Sequence, residues 1–213
     1  MSIESTDGGI TIHVISGLPS FLAVDRLEAR ILVEAGMVPD DLVRSPRPSP
    51  TTFHLALSAE GTPLGVASSI VGPLAELPLG LAMLQAGIEV GPDAPLPGPT
   101  CELISMSVDP LGQHDGIAEA LYRSFYRRAR ASAASSVAVG LDPWVLDVLR
   151  EQYGVPFSVL GPTIDLLGRT LLPVGGELVA LEAGVASAAP GFHAFLTAPV
   201  DDEHTAGVGR VSR

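Results

Sequence analysis

At 213 residues and 46% apolar side chains, the sequence can bury a substantial core and is far from a disordered composition. A formal net charge of −12 disfavours non-specific binding to nucleic acid and favours solubility. The lone cysteine, Cys101, excludes an intrachain disulfide framework and a cysteine-rich metal site, and fits a reducing cytoplasm.

The first residues are acidic and polar and lack the basic-then-apolar order of a signal peptide, so residues 1–9 read as a flexible N-terminus. Residues 10–14 alternate as a strand. Residues 19–36 carry a broad apolar face (Phe21, Leu22, Val24, Leu27, Ile31) against Asp25, Arg26, Glu28 and Arg30, which predicts a helix stopping at Gly36. After a proline-rich loop, residues 51–57 and 63–71 flank the turn residues Ala59, Glu60, Gly61 and Thr62 and predict a hairpin. The apolar stretch 66–88 is broken by Gly72, Pro73, Glu76, Pro78 and Gly80, which rejects a membrane span. Residues 72–100 form a long Pro/Gly-rich connection with a short helix near 79–86, of the kind that shapes substrate pockets as readily as it makes a surface excursion.

A strand follows at 101–108, a turn at 109–112, a helix over 116–132 and a strand at 136–141. Asp142 and Pro143 then read as N-cap and N1 of a helix ending at Gly154. Residues 155–160 and 178–181 are the last predicted strands, and 186–213 lose periodicity and read as a mobile tail. The order β-α-β-β-loop-β-α-β-α-β-β places a single mixed α/β domain over 10–185.

The turn before the 116–132 helix carries the most chemistry. A helix N-terminus offers unpaired N–H groups and the positive end of the helix dipole, and a glycine there lets a phosphate approach the backbone. Gly116 and the small Ala118 meet that requirement, although a glycine at a strand-to-helix turn is equally a plain connection. Gln113-x-x-Gly116-x-Ala118, after the strand Glu102-Leu103-Ile104-Ser105-Met106-Ser107-Val108, resembles the Arg/Gln-x-x-Gly-x-Gly/Ala signature of the GCN5-related N-acetyltransferases (GNATs). Glu102 at the head of its strand, with Gly154-Val155-Pro156-Phe157 and Leu160-Gly161-Pro162 after it, is similar to the N-acyl amino acid synthase and acyl-homoserine-lactone synthase branch. Ser105 departs from that branch, which carries Arg at the position.

The resemblance implies a largely antiparallel central sheet flanked by helices and splayed between the fourth and fifth strands. It implies acetyl-CoA or acyl-CoA, or a phosphopantetheinyl carrier protein, as acyl donor, a small-molecule amine as acceptor, and no metal. Met106, Ser107 and Val108 would run beside the pantetheine arm. The amides of Gln113, His114, Asp115, Gly116, Ile117 and Ala118 would cradle the diphosphate.

Ideal strand alternation puts Glu102 on one face with Ile104, Met106 and Val108. An acid there is either a general base of raised pKa or a structural carboxylate held by backbone N–H groups or Arg. The family's general-acid Tyr falls at Arg150. Tyr153, three residues on, is the candidate acid or a helix-end packing residue. Arg123, Arg127 and Arg130 share a helical face and read as an anion-binding stripe or as a solvated face. The five histidines have no metal spacing. The composition, all basic residues being Arg, reads as a GC-rich bacterial gene. Two functions stay open: an N-acyltransferase, and a non-catalytic GNAT-fold module that binds a CoA-type ligand or a protein.

Overall fold

The structure is a computed structural model that describes residues 2–5 (backbone), 10–16, 50–90, 96–109, 116–166 and 168–199. Its strands are β1 (Ser2–Ser5), β2 (Thr11–Ser16), β3 (Thr52–Leu57), β4 (Pro63–Gly72), β5 (Thr100–Val108), β6 (Ser136–Leu141), β7 (Ser158–Val159), β8 (Ile164–Leu166) and β9 (Arg169–Glu177). Its helices are α1 (Pro78–Gln85), α2 (Ile117–Ala131), α3 (Pro143–Tyr153), α4 (Leu178–Ala188) and α5 (Pro190–Thr197). The strands form one sheet in the order β1-β2-β3-β4-β5-β6-β9-β7, with β8 added to β9. Every pairing is antiparallel except β5 with β6.

The β3–β4 hairpin closes as its turn residues demand. Ser58 donates to the Thr62 carbonyl at 2.9 Å, and Gly61 occupies the left-handed region at φ +80°. In α2, Ile117, Leu121 and Phe125 repeat every four residues and are buried against Ala67 of β4 and Leu103 of β5. Burying each such side chain contributes about 1.5–3 kcal/mol. Leu146 and Leu149 of α3 join that core with Leu178 and Leu181 of α4. On the opposite face, Leu79 and Met83 of α1 pack with Ala138 and Ile164. The sheet is thus sandwiched, with α2–α4 on one side and α1 on the other.

Four readings change. Residues 2–5, expected to be flexible, pair as β1 with Thr11–Val14. Asp142 is at the N-cap of α3 but caps nothing with its side chain, which pairs with Arg169 instead. Residues 178–181 are the start of a helix, because Leu178, Leu181 and Val185 repeat at helical spacing and all reach the core. Residues 190–197, expected to be mobile, form α5. The predicted 19–36 helix lies outside the described residues. Among the described residues, no helix is long and apolar enough to cross a membrane.

Candidate active site

The site is made where β5 and β6 part. The two strands pair only from Thr100 to Leu103, against Ser136 to Val139. Beyond Leu103, β5 keeps β4 on one side and, among the described residues, has no strand on the other, while β6 continues along β9 to Leu141. The edge that Met106 and Val108 belong to therefore faces an opening.

A β-bulge lies at the same place. Ser68 pairs with Ser105 and Ser69 with Leu103, so Ile104 is the extra residue. The bulge reverses the alternation beyond it and overturns one sequence expectation. Glu102, Ser105 and Ser107 lie opposite Ile70, Ser68 and Val66, on one face of the sheet. Leu103, Met106 and Val108 lie opposite Ser69, Ala67 and Gly65, on the other, under α2. Glu102 therefore does not share a face with Met106 and Val108.

Glu102 faces α1. It is 1% exposed, and both its carboxyl oxygens accept from the Leu79 N–H at 3.1 Å. Burial pushes its pKa up to about 8, and the Leu79 N–H holds it back only in part. On the same face the Ser68 and Ser105 hydroxyls lie 2.5 Å apart, and Ser107 Oγ is buried with no hydrogen-bond partner among the described residues.

Tyr153 is on the other face. Its hydroxyl donates to Glu119 Oε1 at 2.8 Å, and its ring tilts against Phe192 with centroids 4.5 Å apart. Burial, with Glu119 adding to it, raises the phenol pKa and keeps it protonated. The sheet thus separates the two candidate catalytic residues. The tyrosine's proton is engaged by a carboxylate in the first turn of α2.

Gly116 is the N-cap of α2 at φ +91°, a conformation that only glycine adopts cheaply, and a Cβ there would meet nothing within 4 Å. Among the described residues, nothing covers that side of the backbone and no side chain caps the helix. The side chain of Ile117 is buried beneath the helix. The first-turn amides have no intrahelical acceptors. Ala118 is half-buried. Gln113, His114 and Asp115 lie outside the described residues.

Sequence reasoning missed the apolar space beside these residues. A cavity of about 110 Å³ lies between the parted strands and α2–α5, walled by Leu103, Val139, Phe125, Leu149, Val185 and Leu196. Tyr122 and Tyr126 edge it, both kept protonated by burial with pKa about 12. Two of its walls are α4 and α5, which the sequence presents as a short strand and a tail. Helical spacing in 178–185 was the available signal.

His54 was also missed. It is fully buried, with Nδ1 2.8 Å from Ser124 Oγ and Nε2 3.0 Å from Ser69 Oγ, and it ties the hairpin to α2. Of the α2 arginines, Arg123 is buried and Arg127 half-buried, while Arg130 is exposed. Arg123 and Arg127 bond carbonyls at the end of α5, and Arg130 pairs with Glu182. Arg150, where the sequence resemblance implies a tyrosine, donates to the Phe157 carbonyl at 2.6 Å.

The fold as a whole has solved counterparts. FeeM, an N-acyl amino acid synthase from uncultured soil microbes, superposes with a TM-score of 0.60 over 83% of this chain and 96% of its own, at 14% identity. The chain has the GNAT fold. BjaI, a CoA-dependent acyl-homoserine lactone synthase solved with SAM and isopentyl-CoA, matches with a TM-score of 0.57 over 88% of this chain and 90% of its own, at 17% identity. The AHL synthase LasI matches with a TM-score of 0.57 over 83% and 96%, at 14% identity. No protein-family model and no curated protein matches the sequence. Within this GNAT fold, no group of three or more metal-binding side chains occurs among the described residues.

Proposed function

We propose that this protein is an N-acyltransferase that moves an acyl group from a CoA or carrier-protein thioester to the amine of a small molecule. The observation that carries the reading is the parting of β5 from β6 at Leu103 directly beside an apolar cavity. The opening suits an extended thioester arm, and the cavity suits its acyl chain. The GNAT fold shared with acyl synthases, one of them solved with an acyl-CoA, supports the same assignment.

In this reading the backbone of Met106, Ser107 and Val108 aligns the pantetheine arm. The amides of Gln113 to Ala118 hold the diphosphate at the head of α2. The amine nitrogen attacks the thioester carbonyl, the C–N bond forms and the C–S bond breaks. The sulfur leaves as thiolate and takes up a proton to become the thiol. The amine's surplus proton goes to a base. Glu102, in its carboxylate form, has the raised pKa that the task requires. Tyr153 is the candidate donor to the thiolate, once Glu119 releases its hydroxyl. Orientation and backbone donors do most of the work.

A second reading is favoured by a specific observation: Glu102 is sealed under α1, and Tyr153 is bound to Glu119 across the sheet from it. A binding module without catalysis has no need of either. Incubation with acyl-CoAs and a pool of amines, followed by assay of free thiol, separates the two. Thiol release dependent on amine supports the transferase. CoA binding without release supports the module and sinks the transferase. Gly116→Glu should abolish CoA binding with the far-UV spectrum unchanged; retained affinity would refute the diphosphate site.

A further inference from the structure

Arginines of α2 converge on the two helices that roof the apolar cavity. Arg123 Nη2 donates to the carbonyl oxygens of Ala198 at 3.0 Å and Pro199 at 3.2 Å, just past the last turn of α5. Arg127 Nη2 donates to the same Ala198 oxygen. The Arg123 guanidinium also lies over the Phe195 ring, 4.9 Å from its centroid. Arg130 pairs with Glu182 of α4 at 3.4 Å, and Glu182 also accepts from Tyr126.

Bonds from a cation to carbonyls at a helix C-terminus are strong, because the charge meets the negative end of the dipole. Besides these bonds, the helix meets Tyr153 through the Phe192 ring, with centroids 4.5 Å apart. It spans eight residues and buries only Leu196 fully. A two-turn helix does not persist on its own propensity. Yet Phe192, His193 and Leu196 of this helix form one wall of the cavity. The height of that wall therefore depends on the arginines.

We propose that Arg123 and Arg127 are specificity-determining positioning residues, which hold α5 down at Ala198–Pro199 and so set the longest acyl chain the cavity admits. The inference rests on the cavity being the acyl site. Each methylene that finds apolar room raises affinity roughly fourfold, and one that meets α5 adds nothing. Affinity should climb with chain length and then break off. Loosening α5 moves the break to longer chains. It leaves the short-chain slope alone, because Leu103, Val139 and Leu149 stay in place.

The test is calorimetric titration with straight-chain saturated fatty acids, lengthened two carbons at a time. The proteins compared are the wild type, Arg123→Ala/Arg127→Ala, the matching double lysine variant, and Val66→Ala. Val66 is buried on the opposite face and controls for destabilisation. The double alanine variant should gain roughly tenfold in affinity for the chain just beyond the wild-type break. Lysine, which keeps one donor, should restore part of the wild-type break, and Val66→Ala should not move it. If the double variant fails to fold, Arg127→Ala alone carries the same expectation. An unmoved break, an equal loss of affinity at every length, or the same shift in Val66→Ala overturns the proposal. Wild-type protein that binds none of the acids removes the acyl reading of the cavity and this proposal with it, and that failure shows before any variant is made.

Discussion

Glu102 and His54 are both buried and titratable, and burial moves them in opposite directions to the same end, an uncharged side chain. The Glu102 pKa rises from 4.5 to about 8, so the folded state keeps a proton that the unfolded chain has lost. Its contribution to stability therefore declines as pH rises from about 4.5 to about 8 and is level beyond. Glu102→Gln should flatten the urea midpoint against pH in that window. If Glu102 is the base, the same variant should also remove a limb of the transfer rate that rises towards pH 8. The His54 pKa falls from 6.5 to about 3, first through burial and then through Arg128. Its contribution is present above pH 6.5 and is lost as pH falls towards 3. His54→Leu leaves the Ser69 and Ser124 hydroxyls without this partner. It should cost about 1–3 kcal/mol in urea unfolding at neutral pH and soften the acid limb.

Among the elements, α4 sits tightly against the segment after α3. A Cβ at Gly184 would stand 2.6 Å from Pro156 Cδ and 3.1 Å from the Gly154 carbonyl oxygen, so the helix reaches the segment after α3 only because that position is bare. Gly184→Ala should push α4 outward and cost about 1–3 kcal/mol, read as a lowered Tm. Legibility differed from one element to the next. The β3–β4 hairpin, β6 and α3 were plain because turn residues or a proline at N1 bracketed a clear period. The 178–181 run was misread because a short apolar stretch fits strand and helix alike until its longer spacing is followed. The bulge at Ile104 left no mark in the sequence, since nothing in Leu103-Ile104-Ser105 distinguishes an extra residue from a regular one.

For the whole molecule, the decisive feature is the cavity, assembled from two strands and four helices. Val185 of α4 lines it. Val185→Phe should fill it and shift donor preference to shorter acyl chains, with CoA affinity kept. A chain-length series of acyl-CoAs in the thiol-release assay checks this, and an unchanged preference would place the acyl group elsewhere. The strand and helix order from 101 to 153, the glycine at the head of α2 and the acid at the head of β5 were determined by the sequence alone; the 109–112 turn lies mostly outside the described residues. They are properties of chain neighbours, and local periodicity reports them. The tertiary structure alone decided which face Glu102 takes, where the apolar space lies and what the arginines of α2 hold. Those outcomes depend on residues as far apart as Arg123 and Ala198, 75 positions along the chain, which only packing brings within a hydrogen bond.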